Sequence, residues 1–184
     1  MIKKLAVISL IQSVILLVIL WGMIYYVVPG KFQCEITHEM MVVSVTNDHN
    51  LTPPTSGEWV ATDYVAERLL AKFPEVGDRI YFKDSRYLLV PTEDVERLLS
   101  WDATDEFVYV SEQYDCDNYE LRLWGQINSL PEWAGISLGM IWFSEPTHAL
   151  NFFVDVAGNV WLIEPQSDDI FEKPQDWEAY LIML

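Results

Sequence analysis

A cysteine, a histidine and a glutamate in the second half of the chain have side chains that can combine in nucleophilic chemistry. They are Cys116, His148 and Glu164, in that order along the 184 residues. A thiolate nucleophile requires an imidazole that accepts a proton and later returns it. A carboxylate beside the imidazole can hold the ring in orientation. The order of these residue types therefore favours a cysteine-based catalytic site.

The element that must position Cys116 is a helix predicted over residues 114–128. Tyr119, Leu123 and Ile127 are spaced along one face of this segment, and Cys116 lies at its start. The dipole and the free N–H groups of a helix N-terminus stabilise a thiolate, and the same N–H groups can stabilise an oxyanion. The position of the cysteine is therefore typical of a reactive thiol, although buried structural cysteines are also common.

The other two residues are predicted on one β-hairpin. Strands at 149–154 and 160–163 flank the turn sequence Ala157-Gly158-Asn159. The pairing register of so tight a hairpin makes His148 and Glu164 diagonal neighbours, and strand parity allows both side chains on one face.

Two further polar residues of the first strand are less suitable partners for the histidine. Asn151 and Asp155 follow His148 by odd numbers of residues, so they fall on the other face of the strand. Glu164 is therefore the preferred third member.

The rest of the second half and the segment before it predict a mixed domain. The expected elements are helices at 62–73 and 95–101, with Thr92 as N-cap of the second, short strands within 79–90, an extended segment at 106–110 and a strand at 136–143. Helices followed by an antiparallel sheet indicate an α+β fold, with the cysteine-bearing helix on the sheet.

The N-terminus has a different character. Residues 5–28 contain no charged side chain, and at helical rise they extend about 36 Å, more than the hydrocarbon core of a bilayer. The stretch is too long for a signal peptide and lacks a small-residue cleavage site. It therefore predicts a transmembrane anchor. Lys3 and Lys4 before it, against Lys31 after it, place the N-terminus in the cytoplasm and the domain outside.

The charge of the chain restricts its partners. The net charge is −17, from 11 basic and 28 acidic residues. Without Lys3 and Lys4, residues 31–184 keep 9 basic residues against 28 acidic ones, which gives −19. Such a domain is not expected to bind nucleic acid or an anionic membrane surface. The second cysteine, Cys34, leaves open a disulfide with Cys116, which would exclude a catalytic thiol.

Three short motifs resemble the papain-like and transglutaminase-like cysteine-enzyme superfamily. They are Cys116-Asp117-Asn118-Tyr119, His148-Ala149-Leu150-Asn151 and the strand from Val160 that ends in Glu164-Pro165-Gln166. Within that superfamily the motifs are similar to the calcium-activated cysteine protease domain of a mushroom agglutinin. The resemblance covers residues 106–172, and the chain has no room for the sugar-binding domain of that family.

The resemblance implies roles for individual residues. Cys116 would be the nucleophile, His148 the general base and then acid, and Glu164 the residue that orients the imidazole. Gln113 is a candidate for the oxyanion hole, although related enzymes place their glutamine further upstream. The resemblance also implies calcium dependence, while the sequence itself requires no cofactor and assigns no metal ligands.

Two tryptophans beside the site have two open interpretations. Trp142 and Trp161 flank the motifs and would line a substrate groove, or they belong to the core.

Together these features predict an anchor at 1–30, an N-terminal subdomain or cap at 31–105 and a cysteine-enzyme core at 106–184. The expected function is a membrane-anchored cysteine hydrolase of the peptidase or amidase type, which forms an acyl-enzyme with a peptide, protein or peptidoglycan substrate. The alternative is a catalytically silent, membrane-anchored binding or structural protein, such as a phage or cell-envelope accessory protein.

Overall fold

A computed structural model describes residues 51–184 of the chain. The predicted span at 5–28 and Cys34 lie outside the described residues. Within residues 51–184, no helix is both long enough and apolar enough to cross a membrane. The single-pass membrane localisation expected from the sequence is corrected to this extent: no helix among residues 51–184 supports it.

The described residues form eight strands and three short helices around one larger sheet. The strands are β1 (Glu58–Ala61), β2 (Ile80–Tyr81), β3 (Arg86–Leu89), β4 (Leu138–Glu145), β5 (His148–Val154), β6 (Val160–Glu164), β7 (Asp169–Phe171) and β8 (Glu178–Met183). The helices are α1 (Thr62–Lys72), α2 (Thr92–Leu99) and α3 (Cys116–Asn128), and a short 3₁₀ helix covers Pro74–Val76.

The larger sheet has six strands in the order β2-β8-β4-β5-β6-β7, and β1 pairs with β3 in a second, two-stranded sheet. All neighbours in the larger sheet are antiparallel except β2 and β8, which are parallel. The hairpin of β5 and β6 therefore lies toward one side of a continuous sheet. His148 begins β5 and Glu164 ends β6, so both lie at the end of the hairpin opposite its turn, which we call the open end.

Alternation along β5 separates two hydrophobic clusters. Phe152 belongs to the cluster that contains Leu69 of α1, and Phe153 belongs to the cluster that contains Leu123 of α3. All four side chains are at most 1% exposed. Burial of each such side chain contributes about 1.5–3 kcal/mol, so α1 and α3 are held by apolar contacts of the two clusters.

The sequence predicted several of these elements and misplaced others. The helix expected at 62–73 is confirmed by α1. The N-cap of α2 is Pro91, and Thr92, which was expected to be the N-cap, is the first residue of the helix. The two short strands within 79–90 exist as β2 and β3 but do not pair with each other. Their partners are distant in sequence, so local pattern alone does not identify them.

The segment at 106–110 was predicted as an extended apolar element, and the structure shows an irregular surface turn. Phe107, Val108 and Tyr109 are exposed, and an isolated bridge joins Val110 to Tyr114. The apolar residue types suggested a strand, but in the described part of the chain no neighbouring strand pairs with this segment.

The fold class expected from the sequence also needs correction. We expected an α+β protein with a transmembrane helix followed by a papain-like or transglutaminase-like domain. The described residues instead form a β-rich domain with three short helices, and none of these helices could span a membrane. The division into 1–30, 31–105 and 106–184 stays a prediction.

Candidate functional site

A short hydrogen bond joins the side chains of His148 and Glu164 at the open end of the hairpin. His148 Nε2 lies 2.7 Å from Glu164 Oε2, and the two side chains are 21% and 22% exposed. Glu164 Oε1 accepts hydrogen bonds from the backbone and side-chain nitrogens of Gln166, each at 3.3 Å. The ring of Trp177 meets the imidazole edge-on at 6.0 Å. The imidazole is therefore held on two sides.

The register that produces this pair is set at the other end of the hairpin. Asn151 lies opposite Ile163 and Val154 opposite Val160. This is the register predicted from the turn sequence, and it makes His148 and Glu164 diagonal neighbours.

The turn is held by a single carboxylate. Asp155 Oδ1 accepts the N–H groups of Ala157 and Asn159, and Oδ2 accepts Asn159 Nδ2 and Trp161 Nε1, all at 2.8–2.9 Å. Burial tends to raise the pKa of Asp155, but these four hydrogen bonds outweigh it and lower the pKa. Gly158 adopts a φ of 80°, which a residue with a Cβ rarely adopts.

Cys116 is the first residue of α3, and its sulfur lies against the start of β5. The thiol is half-buried and free, and the backbone N–H of Ala149, the residue after His148, is near enough to lower its pKa. Asp115 is the N-cap residue of α3, and its N–H donates to Asn118 Oδ1 at 3.1 Å. This local bond defines the helix start and therefore the position of the thiol.

The electrostatic surroundings of the thiol differ from the sequence-based expectation. Burial raises the pKa of Cys116, and the carboxylates of Asp115 and Asp117 raise it further. The N–H groups of Ala149 and Asp117 lower it by less. The neutral thiol is therefore favoured over the thiolate, because burial and the negative charges of Asp115 and Asp117 outweigh the two N–H groups.

The remaining predicted site residues are not all gathered at the thiol. Trp142 is half-buried on β4 directly opposite Ala149, whose backbone N–H lowers the pKa of the thiol. Trp161 is half-buried opposite Phe153, nearer the turn of the hairpin, where its indole bonds to Asp155. The side chain of Gln113 is exposed in the turn before α3, where its backbone N–H donates to Val110 O at 3.0 Å. The functional roles of all three stay predictions.

A buried acid beneath the thiol was not recognised from the sequence. Glu120 is 0% exposed, one helical turn after Cys116, and neither carboxylate oxygen has a hydrogen-bond partner in the described part of the chain. Burial and the charge of Asp117 raise its pKa to about 9. The adjacent Asn151 donates to the backbone oxygens of Glu120 and Gly139. The i, i+4 spacing from Cys116 is the signal that could have identified this residue.

A second group of acidic residues lies near the end of β6. Asp102 and Asp168 each have a buried carboxylate oxygen without a hydrogen-bond partner among the described residues. Burial, Asp105 and Asp102 raise the pKa of Asp168 to about 7. However, within residues 51–184 no group of three or more His, Cys, Asp or Glu side chains is arranged to hold a metal ion.

Comparison with solved structures gives similar folds. One structure, described as the PSL1a-E64 complex, is 22% identical with a TM-score of 0.59, over 68% of this chain and 51% of that chain. A second, Polyporus squamosus lectin bound to a human-type influenza-binding epitope, is 21% identical with a TM-score of 0.57, over 68% and 49%. The chain thus spans about half the length of each. No family model and no curated protein matches the chain.

These findings correct two expectations drawn from the motifs. The fold neighbours are structures of a lectin, and neither description names a papain-like or transglutaminase-like enzyme. The assignment to that superfamily is therefore replaced by a likeness of fold to this lectin. The membrane-anchored cysteine hydrolase is corrected on the same ground. No helix among residues 51–184 supports a membrane anchor for the alternative, a binding or structural protein.

Proposed function

We propose that Cys116, His148 and Glu164 form a reactive-thiol site that captures an electrophilic organic ligand as a covalent adduct. The observation that carries this proposal is the 2.7 Å bond between His148 and Glu164, next to Ala149, whose backbone N–H lowers the pKa of the Cys116 thiol. The proposal differs from hydrolysis, because it requires no water and releases no product.

The chemistry follows from the neutral thiol and the held imidazole. Glu164 occupies Nε2 of His148, so Nδ1 is the nitrogen left to accept the thiol proton. With an epoxide as ligand, the sulfur forms a C–S bond as one C–O bond of the ring breaks. The imidazolium then returns the proton to the alkoxide, and the negative charge of Glu164 stabilises the imidazolium between the two transfers. Atoms and electrons balance without a further reactant.

One structural neighbour supports the choice of probe. It is described as a complex with E64. We choose E64 as the probe because an epoxide is an electrophile of the kind the proposed chemistry requires. Because the sequences are 22% identical, the likeness shows a shared fold, and the transfer of this ligand to the present chain is a proposal.

The test is the intact mass of the full chain after incubation with E64. We expect one adduct in the wild type and in Cys34→Ser, and none in Cys116→Ser. Since Cys34 and Cys116 are the two cysteines of the chain, these matched variants locate the adduct. We expect His148→Ala to slow adduct formation by about a hundredfold. Equal rates in wild type and His148→Ala, or an adduct that persists in Cys116→Ser, would overturn the proposal.

Carbohydrate binding is the second candidate function. It is favoured by the neighbour whose description names the epitope Neu5Aca2-6Galb1-4GlcNAc. Neither that epitope nor E64 is a nucleic acid, so both are compatible with the expectation that this chain binds a partner other than nucleic acid. Neither of them supports a membrane, peptide or peptidoglycan partner. A glycan array probed with the full chain tests the candidate. Binding to defined glycans supports it, and a uniform background contradicts it.

Calcium remains a proposal as a cofactor. The unpartnered oxygens of Asp102 and Asp168 are hard donors of the kind that calcium prefers, although their present arrangement does not form a site. A bound cation would offset the burial and the repulsion from Asp105 and Asp102 that together raise the pKa of Asp168. A calcium-dependent rise of Tm in wild type that is lost in Asp168→Asn would support this role, and an equal response of the two proteins would contradict it.

A further inference from the structure

A cavity of about 500 Å³ lies at the turn end of the β5–β6 hairpin, away from the open end that holds His148 and Glu164. One wall is the outer part of α1, with Arg68 and Lys72, and another is the hairpin, with Asn159 and Trp161. Glu172, just after β7, completes the lining. We call this space the Arg68 cavity. Neither the thiol chemistry nor the fold comparison assigns it a role.

The two basic residues of α1 face the cavity together. Arg68 and Lys72 are one helical turn apart, so their side chains share a face of the helix. Arg68 stacks over the ring of Tyr64 at 4.8 Å, and its Nε is buried without a hydrogen-bond partner in the described part of the chain. Because Nε is closed off, the terminal guanidinium nitrogens of Arg68 are the donors that can reach a ligand, and two such N–H groups can bind one carboxylate.

The charges around these cations leave a place for an anion. Arg68 takes part in none of the ion pairs formed among residues 51–184. Lys72 faces Glu172 at 3.7 Å, and the Glu172 side chain is 73% exposed. A pair so exposed is worth less than about 1 kcal/mol, so a ligand carboxylate could displace Glu172 at small cost. In a chain of net charge −17, two cations beside one cavity are a local exception.

The size and lining indicate an organic anion rather than an inorganic one. A volume of about 500 Å³ falls in the range of small-molecule sites and far exceeds one phosphate ion. Trp161, Val160 and Ala71 supply apolar surface beside the cations. We propose that the Arg68 cavity binds a small organic carboxylate, with the carboxylate on Arg68 and Lys72 and the apolar part against the hairpin. This site is independent of the thiol site.

The test compares benzoate with benzamide, which has the same shape without the charge, by calorimetric titration of the full chain. We expect saturable binding of benzoate at least about tenfold tighter than that of benzamide or inorganic phosphate. Arg68→Gln should weaken benzoate binding by about tenfold, and Arg86→Gln is the matched control, because Arg86 is exposed and lies outside the cavity lining.

A second variant is expected to increase the affinity for benzoate. Because a damaged fold would only weaken binding, such an increase cannot come from loss of structure. Glu172→Gln removes the exposed carboxylate that competes for Lys72, and we expect benzoate to bind a few-fold more tightly. Equal affinity for benzoate and benzamide, phosphate that binds as tightly as benzoate, or equal effects of Arg68→Gln and Arg86→Gln would each overturn the proposal. An absence of saturable benzoate binding would do so as well.

Discussion

His148 and Glu164 are joined by a 2.7 Å hydrogen bond across the open end of the β5–β6 hairpin. The bond connects two residues that the register places diagonally, and Gln166 holds the second oxygen of the same carboxylate. The geometry therefore fixes which imidazole nitrogen is occupied. A carboxylate in this position has two separable effects, orientation of the ring and stabilisation of its charged form.

Glu164→Gln tests the second of these effects, because the amide keeps the shape and one acceptor but removes the charge. We expect the rate of E64 addition to Cys116 to fall by about tenfold or more at pH 7, with the fold unchanged. The measurement is the rate of mass increase, with Glu178→Gln as an exposed control on β8. A rate equal to wild type would show that the charge of Glu164 plays no part.

The thiol itself is expected to respond to the removal of a neighbouring charge. Asp117 raises the pKa of Cys116, so Asp117→Asn should lower it and increase the thiolate fraction near neutral pH. The second-order rate of iodoacetamide labelling, measured against pH, should shift toward lower pH in the variant. Asp63→Asn, an exposed first-turn acid of α1, is the matched control. An unchanged profile for Asp117→Asn would contradict the assignment.

The buried Glu120 should make stability depend on pH in a defined direction. Its pKa is about 9 in the folded chain against an ordinary value of 4.5, so the folded state favours the neutral acid. Stability is therefore complete below about pH 4.5 and is lost as pH rises from there toward 9. At pH 7 the loss is on the order of a few kcal/mol.

Glu120→Gln removes this titration while it keeps the size of the side chain. We expect the variant to be more stable than wild type at pH 8 and nearly equal to it at pH 4, as measured by urea unfolding. Glu67→Gln, on the exposed side of α1, should leave the pH profile of wild type unchanged. A Glu120→Gln profile parallel to that of wild type would refute the buried titration.

The sequence predicted those elements that depend on neighbouring residues, but it did not predict pairings between strands that are far apart in the chain. The period of apolar residues predicted α1, and the turn sequence Ala157-Gly158-Asn159 predicted the hairpin register and hence the His148–Glu164 pair. The pairing of β2 with β8 joins residues about a hundred positions apart, and no local pattern encodes it.

The candidate site shows the same division. The position of Cys116 at the start of α3 was predicted, but the rise in its pKa was not, because that depends on burial by distant segments. Glu120 was overlooked for the same reason, since a glutamate in a helix usually faces solvent. The family assignment failed because short motifs report local residue order, whereas the comparison of folds reports the whole domain.

Asp155 is expected to be the residue on which the hairpin, and therefore both proposed sites, depends most. It accepts four hydrogen bonds at the turn, and it is 6% exposed. Asp155→Ala leaves several of these donors buried without an acceptor, at a cost of about 1–3 kcal/mol for each group that water does not reach. We expect a clear loss of thermal stability together with slower E64 addition, because the register that pairs His148 with Glu164 loosens.

The pH dependence of the same residue gives an independent check. Its pKa is lowered in the folded chain, so its contribution is present above the ordinary value of 3.8 and is lost as pH falls through the lowered pKa. Asp155→Asn, which keeps two acceptor sites on one oxygen, should be destabilised less than Asp155→Ala at pH 7. The difference between wild type and Asp155→Asn should narrow below pH 3.8, where the unfolded chain takes up the proton first, and should vanish once the pH falls below the lowered pKa of the native carboxylate. A difference that stays constant from pH 7 to the acid limit would mean that the charge of Asp155 does not hold the turn.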